Sequence, residues 1–550
     1  MRSAVKRPGC TVSDQRAVRT AIVSDYTLEF EAGKEGGRLG GRARKCPDER
    51  ITGERFGEEG NDIILGGVNG SVDVLSGSTG EDVILGDNGL IHFYYDWAAD
   101  GSIEDYASED YLPDDGDPST IDLIRSFHDG LGGVDIVSGQ QGSDVLLGGE
   151  AGDEVYGDDA EASSGEDDTG DIMLGDNGDL FLAGDAGRRL VQGVAVDYIT
   201  TTDVAEGTGG ADLMSGNAGA DVVIGGVNDG GIDRLYGDAR DPVPGFDGAD
   251  VMLGDNGLLD YTWDDAPGGA DSNRNTLDRI ETTALAGGGV RGGTDYIFGN
   301  AGGDTIFGGT GDDRVVGDNE ESVDESGDAD LYGDLSNSDF LFGDQGRIEL
   351  VNNLVSLMES TDQSEAEGGS DLIQGGDFDD FIIGGVAGDE LHGEALLING
   401  LDVDDLVQSA GADTLLGDLG RMRFNVGAAD DLVVVTGAYT ASGDSDPTTL
   451  DLVETFATDA LGGDDEIYGN GGNDVAMGGF GDDLIHGDFY KGSLIRALNP
   501  GDDQLLGDGG QAYYQNGNII LLRTAEFTFG GSDEIHGNDR SDTVAGGVDD

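Results

Sequence analysis

From Gly57 onward the sequence repeats every nine residues on the pattern Gly-Gly-x-Gly-x-Asp-x-apolar-x. Gly293 to Val316 shows it well, with Asp295, Asp304 and Asp313 at equal spacing. The spacing recurs at Asp371, Asp380 and Asp389, at Asp465, Asp474 and Asp483, and at Asp135, Asp144 and Asp153. Asp212 and Asp221 repeat it, as do Asp533 and Asp542, and Asp62, Asp73 and Asp82 form a looser set. A unit this short cannot bury an apolar side chain by itself, so the period commits the chain to stacked repeats.

A longer period lies above the first. Blocks close with Gly-Asp-x-Gly or a near relative, beginning at Gly86, Gly175, Gly254, Gly343, Gly417 and Gly507. Inserts without the nonapeptide follow. They open on apolar strands such as Leu90 to Tyr94 or Met422 to Val426, and most end on Asp-x-apolar-x-Ser/Thr, as in Asp122 to Ser126 and Asp278 to Thr282. Alternation at period two predicts β-hairpins there. The fold class read from these periods is all-β: parallel β-roll or β-solenoid blocks of nonapeptide repeats interrupted by β-hairpin inserts, in about six to seven modules. The expected organisation is a poorly ordered leader or linker at 1–56, then a repeat region at 57–550. Its blocks lie near 57–89, 132–178, 209–257, 292–346, 368–420, 462–510 and 530–550. The chain stops at Asp550 in mid-repeat, which reads as truncation.

Charge decides what such a stack needs. The formal net charge is -86 and Gly supplies 101 of 550 residues. Beyond residue 56 the balance is 16 basic against 106 acidic residues. Glycine entropy and carboxylate repulsion both oppose collapse, yet 37% of the chain is hydrophobic, too much for a plain acidic tail. A divalent cation is the simplest remedy. In one unit, Gly308 to Val316, the first six residues can turn tightly and the last three are strand-like. Two units make one coil. Stacked turns then face each other with carbonyls and Asp carboxylates, a hard all-oxygen cage that suits Ca²⁺ with its 6–8 oxygen ligands. Softer metals find no thiolate or imidazole set.

With these motifs the sequence resembles the RTX (repeats-in-toxin, hemolysin-type) calcium-binding family. The resemblance implies a parallel β-roll, many bound calcium ions, and type I export to an extracellular or cell-surface location. It also implies that the sixth-position aspartates are the side-chain ligands. Carried across, these are the aspartates above with their equivalents Asp171, Asp233, Asp250, Asp339, Asp413 and Asp503. Many units depart from the pattern by lacking a glycine, as in Gly139-Gln140-Gln141-Gly142, and the unit near Asp328 is out of register. The Gly-Asp-x-Gly aspartates, such as Asp176 and Asp255, read as caps of the last turn, as calcium ligands, or as both.

Other chemistries find little support. The charge excludes phosphate-backbone binding by basic clusters. No apolar run approaches the roughly 18 residues of a membrane span. His392, His486 and His536 read as outward, surface strand residues, and no zinc, nucleophile-elbow or phosphate-loop motif stands out. Asp271 to Asn275 looks like an EF-hand loop but has Thr276 where Gly is required. The expectation is therefore a non-enzymatic, secreted or cell-surface structural or adhesive scaffold that folds on binding Ca²⁺. The repeat region of a larger secreted hydrolase or toxin is the alternative. The ligand class, surface glycan or protein, stays open. One further expectation concerns strand positions seven and nine. They are apolar in pairs such as Ile63 and Leu65, Phe340 and Phe342, and Phe381 and Ile383, so the inserts should cover them.

Overall fold

The computed structural model describes residues 54–57, 59–67, 72–92, 120–127, 130, 132–158, 170–182, 194–202, 209–228, 231–239, 248–261, 276–283, 292–318, 338–362, 368–376, 378–394, 411–424, 448–456, 461–488, 500–524 and 530–547, with strand pieces at 20–23, 26–29, 42–45, 190–191, 322–323 and 329–330. The Asp271–Asn275 stretch and Asp328 fall outside the described residues, as does most of 1–56.

The nonapeptides build a two-sheet parallel roll, and the inserts add a third layer. Successive strand triplets alternate between the two roll sheets. One of them, the inner sheet, runs from Ile63–Leu65 through Thr305–Phe307 and Phe340–Phe342 to Thr543–Ala545. Its facing partner, the outer sheet, is 13-stranded and runs from Glu54–Phe56 through Asp73–Thr79 and Thr294–Asn300 to Glu534–His536. The inner sheet is 16-stranded because Thr20–Val23, Tyr26–Glu29 and Arg42–Lys45 extend its first edge, with Thr20–Val23 parallel to Ile63–Leu65. The middle residue of each triplet points into the roll: Ile64, Ile84, Leu146, Ile306 and Leu341 from one side meet Leu75, Val137, Leu235, Ile297 and Val315 from the other. This layer is buried and apolar, and each rung adds one apolar side chain from either sheet.

The register shows how the blocks meet: they stack directly on one another across the inserts. Leu85 pairs with Leu147 across the first insert, and Phe307 pairs with Phe342 across residues 308–339. Every excursion leaves and re-enters at a turn, so the strands on either side keep their stacking and the roll continues through all of them.

Each insert supplies two neighbouring antiparallel strands, as the hairpin reading expects: Gly89–His92 with Leu123–Ser126, Gly257–Asp260 with Arg279–Thr282, and Gly420–Arg423 with Leu452–Thr455, for example. The hairpins also pair with each other, giving one continuous antiparallel cap sheet. The recurrent Ser/Thr that ends an insert explains the junction. Ser126 Oγ accepts the Gly178 N–H at 2.9 Å, Thr201 Oγ1 that of Gly257 at 3.0 Å, Thr282 Oγ1 that of Gly346 at 2.9 Å, and Thr455 Oγ1 that of Gly510 at 2.9 Å. Each hairpin thus holds the start of the next.

The cap sheet covers the inner sheet. Ile63, Leu65, Val83, Leu85, Phe307, Phe342 and Ile383 share a second core with Ile124, Leu180, Ile280, Ile348, Met358 and Met422 of the inserts. Phe340 and Phe381 are partly buried against the same core, stacked at 5.2 Å, with Phe424 of the cap edge-on to both. The covering expectation therefore holds for the inner sheet. The outer sheet carries charged and aromatic residues at the equivalent positions, such as Glu154 and Tyr156, or Arg234 and Tyr236.

Candidate calcium centres

The sixth-position aspartate opens each strand, with its side chain at the seam between turn and sheet. Along the inner sheet these residues form one ladder: Asp62, Asp82, Asp144, Asp171, Asp221, Asp250, Asp304, Asp339, Asp380, Asp413, Asp474, Asp503 and Asp542. Each backbone N–H donates to Oδ1 of the next, at 2.6–3.1 Å. A second ladder lines the other seam. It runs Asp73, Asp135, Asp153, Asp212, Asp233 and then Asp295, Asp313, Asp371, Asp389, Asp465, Asp483, Asp533, with the same bond inside each run. At Asp295 the Asn228 amide donates to Oδ1 at 2.6 Å. Every aspartate assigned from the sequence thus lies in one of two columns, the first unbroken and the second in two runs.

The ladder uses one carboxylate oxygen and leaves the other. Oδ2 of Asp82, Asp153, Asp250, Asp304, Asp313, Asp380, Asp413 and Asp474 is buried and accepts no hydrogen bond. A buried carboxylate oxygen without a donor is costly unless a cation meets it. The space beside it is set by glycine. A Cβ built on Gly299 would lie 2.1 Å from Asp304 Oδ2 and 2.7 Å from the Gly317 carbonyl oxygen. On the opposite seam, a Cβ on Gly308 would lie 2.2 Å from the Gly343 carbonyl oxygen and 2.8 Å from Asp313 Oδ2. Carboxylate and carbonyl oxygens therefore converge on a cradle that any side chain would fill. The donor set is all oxygen, and these residues fit Ca²⁺.

Electrostatics agree. Burial pushes the carboxyl of Asp304 up to about 7 and those of Asp371 and Asp135 up to about 8, although each accepts a backbone N–H that pulls the other way. In Asp135 the charges of Asp87 and Asp73 add to the rise. Such groups favour the proton until a cation replaces it.

The turn geometry accounts for the missing glycines. Position two of a turn has positive φ. It is Gly309 (113°) in one turn, but Asn217 (73°), Asn300 (75°) and Asn470 (69°) in others, and Gln140 (80°) in the irregular unit. Asparagine tolerates this region better than other non-glycine residues.

The Gly-Asp-x-Gly aspartates act as caps. Asp255 Oδ2 accepts both the N–H and the hydroxyl of Thr310, at 2.5 and 2.6 Å. Asp344 accepts Gly369 N–H at 3.0 Å where the insert re-enters, and Val386 N–H at 2.5 Å on the next coil. Asp176 accepts the Val227 N–H at 2.5 Å. The excursions from the outer sheet begin with the same device at Asp238, Glu394 and Asp488. Sequence reasoning missed these last residues; the signal was the acidic residue directly after the first glycine of a turn.

Three histidines line the outer face of the outer sheet in a stacked row: His392 on Tyr468 at 4.9 Å, Tyr468 on His486 at 5.4 Å, and His486 on His536 at 4.6 Å. His392 differs from the surface reading, since it is fully buried and bonded to Glu390 at 2.9 Å.

Parallel coils, two aspartate ladders and glycine-walled oxygen cradles define a calcium-binding β-roll. Residues 68–89, 129–160, 200–232, 291–320, 365–395 and 459–489 match the RTX calcium-binding nonapeptide repeat (4 copies). The chain carries RTX repeats and is a calcium-binding repeat protein. A comparison with curated proteins finds no match.

Proposed function

We propose that this chain is a calcium-ordered structural or adhesive scaffold that works outside the cell, at a cell surface or after secretion, and performs no catalysis. The observation that carries the reading is the continuity of the roll. The described repeats form a single stack with two buried cores, and its only recurrent chemistry is the oxygen cradle. Extracellular calcium, in the rough range of 10⁻⁴ to 10⁻³ M for such modules, would switch the stack on after export. Membrane insertion by helices has no support: no helix among the described residues is long and apolar enough to cross a bilayer.

Antibody labelling of intact producing cells tests the location, and small-angle scattering with and without calcium tests the mechanical role. A rigid rod in calcium and an expanded coil in chelator are expected. Retention of the chain inside the cell, or a compact particle that ignores calcium, would count against the scaffold. The rival reading, the repeat region of a larger secreted hydrolase or toxin, predicts hydrolytic activity or membrane damage by the native secreted protein, which the same preparation can be assayed for.

A further inference from the structure

Plain turns bring ladder aspartates and carbonyls to a cradle. Turns that open an excursion add a third acidic residue, directly after the first glycine. The clearest case lies where the chain leaves Leu484–His486 and returns at Gln504–Asp508. There Asp488 joins Asp503 and Asp542, and one carboxylate oxygen from each lies within 4.8 Å of the others. Among the described residues this is the group in which three acidic side chains converge so closely.

Three independent features point to a cation at this place. Asp503 is fully buried, and its Oδ2 has no hydrogen-bond partner. A Cβ on Gly487 would lie 2.0 Å from that oxygen and 2.8 Å from the Gly537 carbonyl oxygen, so the glycine leaves room for a ligand between turns. The remaining oxygens are held in place from outside: Asp488 Oδ1 accepts the Gly501 N–H at 2.7 Å, its Oδ2 accepts the Asp539 N–H at 3.1 Å, and Asp542 Oδ1 accepts the Asp503 N–H at 3.1 Å. Three carboxylates are thus pre-positioned, one oxygen of each within 4.8 Å of the others, with no basic side chain among these contacts.

We infer that Asp488, Asp503 and Asp542 form a calcium site of a second class, with three carboxylates, that fills at lower calcium than the plain turns. The inference rests on the calcium-binding reading of the roll. Ligand charge count is a main determinant of calcium affinity at oxygen sites. The third charge comes from the residue that also holds the re-entry of the excursion. Calcium at this site therefore fixes the excursion before the neighbouring plain turns order.

Hydrogen exchange read by mass spectrometry on the full chain, across a calcium titration, separates the two classes. Peptides spanning 501–508 and 537–545 should become protected at a calcium midpoint on the order of tenfold lower than the peptide spanning 299–307. Asp488→Asn keeps an acceptor for the Gly501 N–H but removes the charge. It should raise the first midpoint about tenfold and leave the 299–307 midpoint in place. Asp488→Ala should raise it by at least as much. If Asp488→Asn behaves as the parent while only Asp488→Ala is impaired, Asp488 is a hydrogen-bonded cap and the site assignment is overturned. Equal midpoints in the two parent segments would overturn it as well. Absence of calcium-dependent protection at 299–307 would instead sink the general calcium reading, so the two failures are distinguishable.

Discussion

At the scale of single residues, a sixth-position aspartate such as Asp304 has a separate place for each oxygen. Oδ1 continues the ladder and Oδ2 faces the cradle, so replacing the residue removes a strut and a candidate ligand together. Asp304→Ala should raise the calcium midpoint of its own coil, while Asp271→Ala, at the rejected EF-hand look-alike, should leave it unchanged; calorimetric titration of both variants decides, and equal effects would contradict the assignment. Glycine is as demanding at the wall of the cradle. Gly299→Ala places a methyl group 2.1 Å from Asp304 Oδ2, a position that cannot be shared. We expect a loss of roughly 1–3 kcal/mol of stability in calcium, as for overpacked sites, measured by denaturant unfolding. The ladder also has a pH signature. In the ion-free fold the carboxyls of Asp371 and Asp135 sit near 8 and that of Asp304 near 7, raised mainly by burial. A carboxyl raised on folding binds its proton more tightly in the folded state. Its stabilising contribution is therefore complete below the unfolded value near 4 and is lost as pH rises through 7 to 8. In chelator, β structure should be greater at pH 5 than at pH 8 by circular dichroism. The opposite order would mean that the buried carboxylates are not what opposes ion-free folding.

At the scale of elements, the two sheets of the roll have different duties. The inner sheet is buried on both faces, and the cap sheet is what allows its outward positions to be apolar. Phe342 stacks on Phe307 at 4.5 Å beneath the cap, whereas Phe298, stacked on Tyr236 at 5.2 Å, lies on the partly exposed outer face. Phe342→Ala should cost about 3–5 kcal/mol, the range for a buried aromatic. Phe298→Ala should cost clearly less. Equal costs in chemical denaturation would show that the cap adds no cover. The Ser/Thr that closes each insert belongs to the same level: Thr282→Val removes the acceptor of the Gly346 N–H and should cost about 1–3 kcal/mol for an orphaned buried donor.

At the scale of the whole molecule, stability is shared between neighbours along a line, as in other repeat proteins. A 13-stranded sheet with strands about 4.8 Å apart makes a roll roughly 60 Å long. With a chain charge of -86, cations do more than fill sites: they lower the self-repulsion of the whole rod. Calcium titration followed by circular dichroism should show a steep rise in β signal, and magnesium at the same concentration should do far less, because it holds its water and demands strict octahedral geometry. A complete β spectrum in excess chelator at neutral pH would contradict this.

The sequence by itself determined the coil. Nine-residue periodicity, glycine at turns and one apolar residue per triplet leave few other ways to bury Ile306 or Leu341, and the equal spacing of the aspartates inside a block fixes the ladder steps there, such as Asp295 to Asp313, because stacking at constant period superposes equivalent residues. Hairpins were legible too, from period-two alternation after each Gly-Asp-x-Gly. What the tertiary structure decided is how the pieces meet. That the roll passes unbroken through every insert depends on each excursion returning to the turn it left, a closure no local pattern encodes. That hairpins fuse into one cap depends on hydrogen bonds between residues far apart in sequence, such as Thr282 and Gly346. The convergence of Asp488, Asp503 and Asp542 is of the same kind, since unequal excursions bring together residues that share no fixed spacing along the chain. Local chemistry repeats with the sequence and could be read from it, whereas partners supplied by separate modules are chosen only when the coils stack.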